Sequence, residues 1–152
     1  MSHLICLASD APLPALSDPR SPSEICVTID RETGSVDLSP EDCWDIWPMP
    51  GTDHLHTALP YLAEAVWYRC TPGLAAELAD YIRRHLERAE TVELWNFWDG
   101  SDVELVRVHR EEVPLAELTP EKIIALCEKD AAYPTLLGGI EEFQQYCLCI
   151  TR

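Results

Sequence analysis

Thr91-Val92-Glu93-Leu94-Trp95-Asn96-Phe97-Trp98, then Asp99-Gly100-Ser101-Asp102, then Val103-Glu104-Leu105-Val106-Arg107-Val108-His109, is the stretch on which the fold turns. Two runs of β-branched and aromatic residues flank an Asp-Gly pair, the composition of a β-hairpin. The spacing predicts pairing across Asp99 to Asp102. Side chains alternate along a strand, so Val92, Leu94 and Trp98 share one face, with Asn96 as its polar exception. Trp95 and Phe97 fall on the other face. With apolar weight on both faces, the first run belongs in the interior of a sheet.

Upstream lies the strongest helix signal. Thr71 is placed to cap, Pro72 opens, and Leu74, Leu78, Ile82 and Leu86 recur every fourth residue. Tyr81 and His85 flank that stripe and Ala89 extends it. Arg83, Arg84 and Arg88 sit where a helix C-terminus favours positive charge. The pattern predicts an amphipathic helix over 72–89, packed on the sheet. Downstream, Thr119-Pro120-Glu121-Lys122 repeats the cap-then-proline order and predicts a second helix with Ile123, Ile124 and Cys127 inward, ended before Pro134. The run from Phe143 to Ile150 reads as a strand.

Further out, residues 2–8 read as a strand. Ile25 to Ile29 and Ser35 to Leu38 read as a hairpin around Gly34. Ser39-Pro40-Glu41-Asp42 has the composition of a helix start, and Pro48 and Pro50 would stop that helix early. Residues 61–69 read as another strand. Hairpins dominate and helices are few, so the expected fold is α+β: a mainly antiparallel sheet with two main helices packed on one side. Residues 1–70 carry 3 basic and 11 acidic groups and residues 71–152 carry 8 and 16, so charge marks no boundary. The whole chain, 1–152, is expected to be a single domain.

The chain of 152 residues is 47% hydrophobic and 25% charged, with a net charge of −16. That excess repels phosphate backbones and anionic headgroups, so neither nucleic acid nor membrane is an expected partner. No apolar run reaches the ~18 residues of a membrane span. The first residues, Met1-Ser2-His3-Leu4-Ile5-Cys6, lack the basic start of a secretion signal. The expectation is therefore cytoplasmic, and the seven cysteines are expected to be free thiols. Most lie in apolar runs, where cysteine acts as a small hydrophobe.

The segment from Thr71 to Ile124 combines a capped helix, the strand Val92-Glu93-Leu94-Trp95 with Trp98 three residues on, and then Glu117-Leu118-Thr119-Pro120-Glu121. It resembles an uncharacterised family of small acidic bacterial proteins that are immunity-protein-like. The resemblance covers about a third of the chain. It implies a non-enzymatic role, binding and neutralising a basic toxin, and it carries no catalytic residue across.

The chemistry-bearing residues point two ways. Trp44 and Trp47, spaced i, i+3 on the short helix expected there, stand among Asp42 and Asp45. Tryptophan anchors ringed by acids have the composition of a protein-binding face, and a basic protein would be its partner. Asp42, Trp44, Asp45 and Trp47 are thus the candidate contact residues. The alternative is a small metal- or thiol-dependent enzyme. His54 and His56 face one way on an extended segment and suit zinc, and Cys70 stands just before a helix start, where a thiolate is favoured. No other ligand or general base has diagnostic spacing, and no phosphate loop occurs. No cofactor is expected.

Overall fold

The computed structural model describes residues 2–17, 26–29, 32–33, 36–39, 43–51, 53–67, 69–99, 106–129 and 143–152. Six strands form one sheet in the order β4-β5-β1-β6-β8-β7. They are β1 (Ser2–Ser9), β4 (Trp44–Met49), β5 (Tyr61–Trp67), β6 (Thr91–Asp99), β7 (Val106–Pro114) and β8 (Phe143–Thr151). All neighbours are antiparallel except β7 and β8, which run parallel. A separate two-stranded sheet pairs β2 (Cys26–Ile29) with β3 (Val36–Ser39), as the hairpin reading predicts. The class is α+β. No helix among the described residues is long and apolar enough to cross a membrane.

Both helices pack on one face of the sheet. α1 (Pro72–His85) starts where the sequence places it, with the Thr71 hydroxyl accepting the backbone N–H of Leu74. Leu74, Leu78, Ile82 and Leu86 are all fully buried against Ile5, Leu7, Val92, Leu94 and Ile150. The helix closes earlier than the 72–89 reading: Leu86 is its C-cap, residues 86–88 form a turn, and Ala89 beyond it is still buried. α2 (Pro120–Cys127) is capped by Thr119 and buries Ile123 and Leu126. Ile124 and Cys127 are only half-buried.

Asn96, the polar exception on β6, has a clear role. It is fully buried beneath α2, and its side-chain amide donates to the carbonyls of Leu126 and Lys129 at 2.9 and 3.1 Å. A helix leaves its last carbonyls without partners, and Asn96 supplies the donor from the sheet.

Two expectations fail. The Asp-Gly hairpin does not form: β6 pairs with β1 and β8, and β8 stands between β6 and β7. Residues 100–105, covering most of the expected turn and the start of the expected second strand, lie outside the described residues. The cause is competition for an interior edge. β8 carries Cys147-Leu148-Cys149-Ile150, all buried, and fills the place beside β6. β7 carries Arg107, His109, Arg110, Glu111 and Glu112, charges that suit an edge strand. α2 then acts as the crossover between two parallel neighbours, a connection that hairpin geometry cannot make.

The short helix expected after Ser39-Pro40 is also absent: Trp44–Met49 is strand β4. Residues 40–42 lie outside the described residues. Trp44 and Ile46 face the helices, and Trp47 turns away from them. β4 pairs with β5 along one edge, and Leu16 bridges Ile46 on the other with bonds of 3.1 and 2.8 Å. Pro48 on this edge strand lacks an N–H to offer a further strand. Beyond it Gly51 adopts φ 121°, a conformation that favours glycine, where the chain turns back.

Candidate functional site

The face of the sheet opposite the helices carries the densest polar chemistry. β6 presents Glu93, Trp95 and Phe97 there, β1 presents Cys6 and Ala8, and β8 presents Gln145, Cys147 and Cys149. Leu55 and Leu59 from the segment after β4 pack over this surface. Glu93 is only 4% exposed, so its charge needs partners. It has three: the Thr57 hydroxyl at 2.6 Å, the Trp95 indole N–H at 2.9 Å, and the Arg110 guanidinium from β7. Arg110 also lies 5.3 Å above the Trp95 ring.

His54 and His56 belong to the segment crossing this face, and Gln145 holds that segment in place. Its amide donates to the His54 carbonyl, and its side-chain oxygen meets the His56 backbone N–H at 3.3 Å and ring Nδ1 at 3.2 Å. Among the described residues, no group of three His, Cys, Asp or Glu side chains is arranged to hold a metal ion. Cys147 and Cys149 sit beside Glu93. Burial and that carboxylate push the Cys147 thiol far up, and burial with Glu112 pushes Cys149 up to about 11. Protonated, buried thiols pack rather than react.

Cys70 has different surroundings. It precedes the Thr71 cap of α1 and lines an open cleft of about 1000 Å³, together with Leu4, Ile5, Trp67, Arg69 and Cys127. Its neighbour in that cleft is the Cys127 thiol at the end of α2. The Cys127 thiol holds that of Cys70 below its usual value, against burial and the Glu128 charge. The same contact, with burial, drives Cys127 upward. The sequence offers an imidazole as base for Cys70; the structure gives it a second thiol. Nothing in the spacing of Cys70 and Cys127 reveals that pairing, because it depends on how α1 and α2 pack.

The four candidate contact residues do not share one exposed surface. Asp42 lies outside the described residues. Trp44 is 3% exposed, donates its indole N–H to Glu77 at 2.8 Å, and meets Tyr81 edge-on at 5.9 Å. Asp45 is buried as well. Trp47 is 53% exposed and stands opposite Glu64 of β5. Trp47 is therefore the one tryptophan of this set available to a partner.

Both lysines of the chain line a second cleft of about 630 Å³ between β7, β8 and α2, with His109, Arg110 and Tyr146. Lys122 pairs with Glu111 at 2.8 Å, and Lys129 lies 5.9 Å above the Tyr146 ring. Compared with known proteins, the chain matches no family model, no curated protein and no solved structure.

Proposed function

We propose that this is a binding protein that presents an acidic surface to a basic partner protein, in the manner of an immunity protein that neutralises a basic toxin. The observation that carries the reading is Trp47, a large aromatic left more than half exposed on a chain of net charge −16. It stands opposite Glu64 of β5. Exposed tryptophan supplies short-range affinity, and surrounding acids supply long-range steering. Leu16 and Pro48 obstruct the outer edge of β4, so the contact uses side chains rather than an added strand.

The test begins with capture from the native cell at low salt, followed by rate measurements on the purified partner. Association should slow steeply from about 10 mM to 1 M salt, as the Debye length falls from about 30 Å to 3 Å. Trp47→Ala should speed dissociation while leaving that salt slope unchanged. Salt-independent association, or a dissociation rate indifferent to Trp47, overturns the reading.

A further inference from the structure

Cys70 and Cys127 stand apart from the other described thiols. Cys6, Cys43, Cys147 and Cys149 are buried, whereas Cys70 and Cys127 are both partly open. One precedes the start of α1 and the other ends α2, and both line the same cleft of about 1000 Å³. Cys70 immediately precedes Thr71, the cap at the positive end of the fourteen-residue helix α1.

We propose that Cys70 and Cys127 are a redox-active dithiol that closes to an intramolecular disulfide when a low-molecular-weight disulfide enters the cleft. The two sulfurs have unequal roles. Cys70 stands just before the α1 cap with the Cys127 thiol beside it, surroundings that favour negative charge on Cys70, and it is the attacking thiolate. Its sulfur bonds to one sulfur of the small disulfide, breaking that S–S bond and expelling the first small thiolate, which takes up a proton from water. Cys127 then loses its proton to water and attacks the Cys70 sulfur. The mixed disulfide breaks, and the second small thiolate leaves and is protonated. Two protein thiols have lost two electrons and one small disulfide has gained them, becoming two thiols.

The order of steps follows from the contact itself. While Cys70 carries charge, Cys127 holds its proton. Once Cys70 is in the mixed disulfide that charge is gone, and the main restraint on Cys127 goes with it. The closed disulfide would tie the start of α1 to the end of α2 across the cleft. The proposal is independent of the partner reading, since Trp47 lies on strand β4 and does not line this cleft.

The experiment uses the full, reduced chain with oxidised glutathione as the probe, without oxygen. Thiols counted after denaturation should fall from seven by two, and peptide mapping should find Cys70 joined to Cys127. Cys127→Ser should stop at a glutathione adduct on Cys70. Cys70→Ser should retain all its remaining thiols. Circular dichroism of each variant establishes that it is folded before the thiols are counted. A count that stays at seven, a linked pair lacking either residue, or a folded Cys127→Ser chain without an adduct on Cys70 overturns the proposal.

Discussion

The two faces of the six-stranded sheet are built on different principles. The helix-side face is a continuous apolar layer of Leu, Ile and Val, and Asn96 buried in it caps a helix end. The opposite face packs small thiols and aromatics around a buried charge, Glu93, held by Arg110, Trp95 and Thr57. The first face gains stability from area removed from water, about 25 cal/mol per Å² of apolar surface. The second must satisfy hydrogen bonds before burial is favourable at all. One sheet therefore has a face that tolerates volume-conserving change and a face that is sensitive to the loss of a single partner.

Substitutions on each face can break that contrast. The largest effect is expected on the helix side: Ile82→Ala, at a fully buried position mid-stripe, should cost ~2–5 kcal/mol in denaturant unfolding. A loss below about 0.5 kcal/mol, the level of surface changes, would mean that this layer is not the core. On the other face, Arg110→Ala removes the counter-charge of the Glu93 carboxylate. Arg110 is itself 35% exposed and two other donors remain on Glu93, so ~1–3 kcal/mol is expected, less than for losing every partner. A double-mutant cycle with Glu93→Gln measures the coupling, and a value of zero would remove the ion pair from the account.

A third prediction concerns acid and a junction between the layers. The fully buried Ser9 hydroxyl contacts the His85 ring Nε2 at 2.8 Å and donates to the Thr91 carbonyl at 3.1 Å. The Nδ1 of His85 is buried with no hydrogen-bond partner among the described residues. Burial, with Arg88, holds His85 below its ordinary value of 6.5, against the pull of Asp10. The unfolded chain thus binds a proton that the folded one refuses. This contribution is complete above pH 6.5 and is lost as pH falls from there toward the depressed folded value. Urea midpoints at pH 7.5 and 5.5 should differ more for the wild type than for His85→Gln; equal differences would remove His85 as the cause. The smallest effect is Trp47→Ala, expected to change stability by less than about 0.5 kcal/mol because the side chain is exposed. A larger loss would place Trp47 in the fold rather than on a contact surface.

Legibility in the sequence follows the range of the interactions. α1 was readable because cap, proline and apolar stripe all lie within 16 residues of one another in the chain, from Thr71 to Leu86. Ser39-Pro40 has the same opening grammar as Thr71-Pro72 and Thr119-Pro120, yet no stripe at intervals of four follows it. Trp44 and Ile46 instead alternate with Asp45 and Trp47, the period of a strand, and that period decides. The neighbours of β6 were not readable from Asp99-Gly100, because a turn signal is local and β8 competes from more than forty residues away. The Glu93–Arg110 pair and the Cys70–Cys127 contact depend on that same long-range arrangement, so residues that read as ordinary strand and helix positions become the chemistry of the site.

The placement of β8 also has a consequence for the time course of folding. β6 and β7 are made first, and the strand that joins them is made last. Until residues 143–151 arrive, β6 has one open edge and β7 has no neighbour in the sheet. Closing such a non-local arrangement carries a loop-entropy cost before any contact compensates it, which slows folding. On a ribosome, α1 and the β1–β6 pairing can form early, while the sheet stays incomplete and exposes the apolar edge of β6. The charges along β7 then act as a safeguard, because a waiting strand dense in arginine and glutamate is a poor template for another chain.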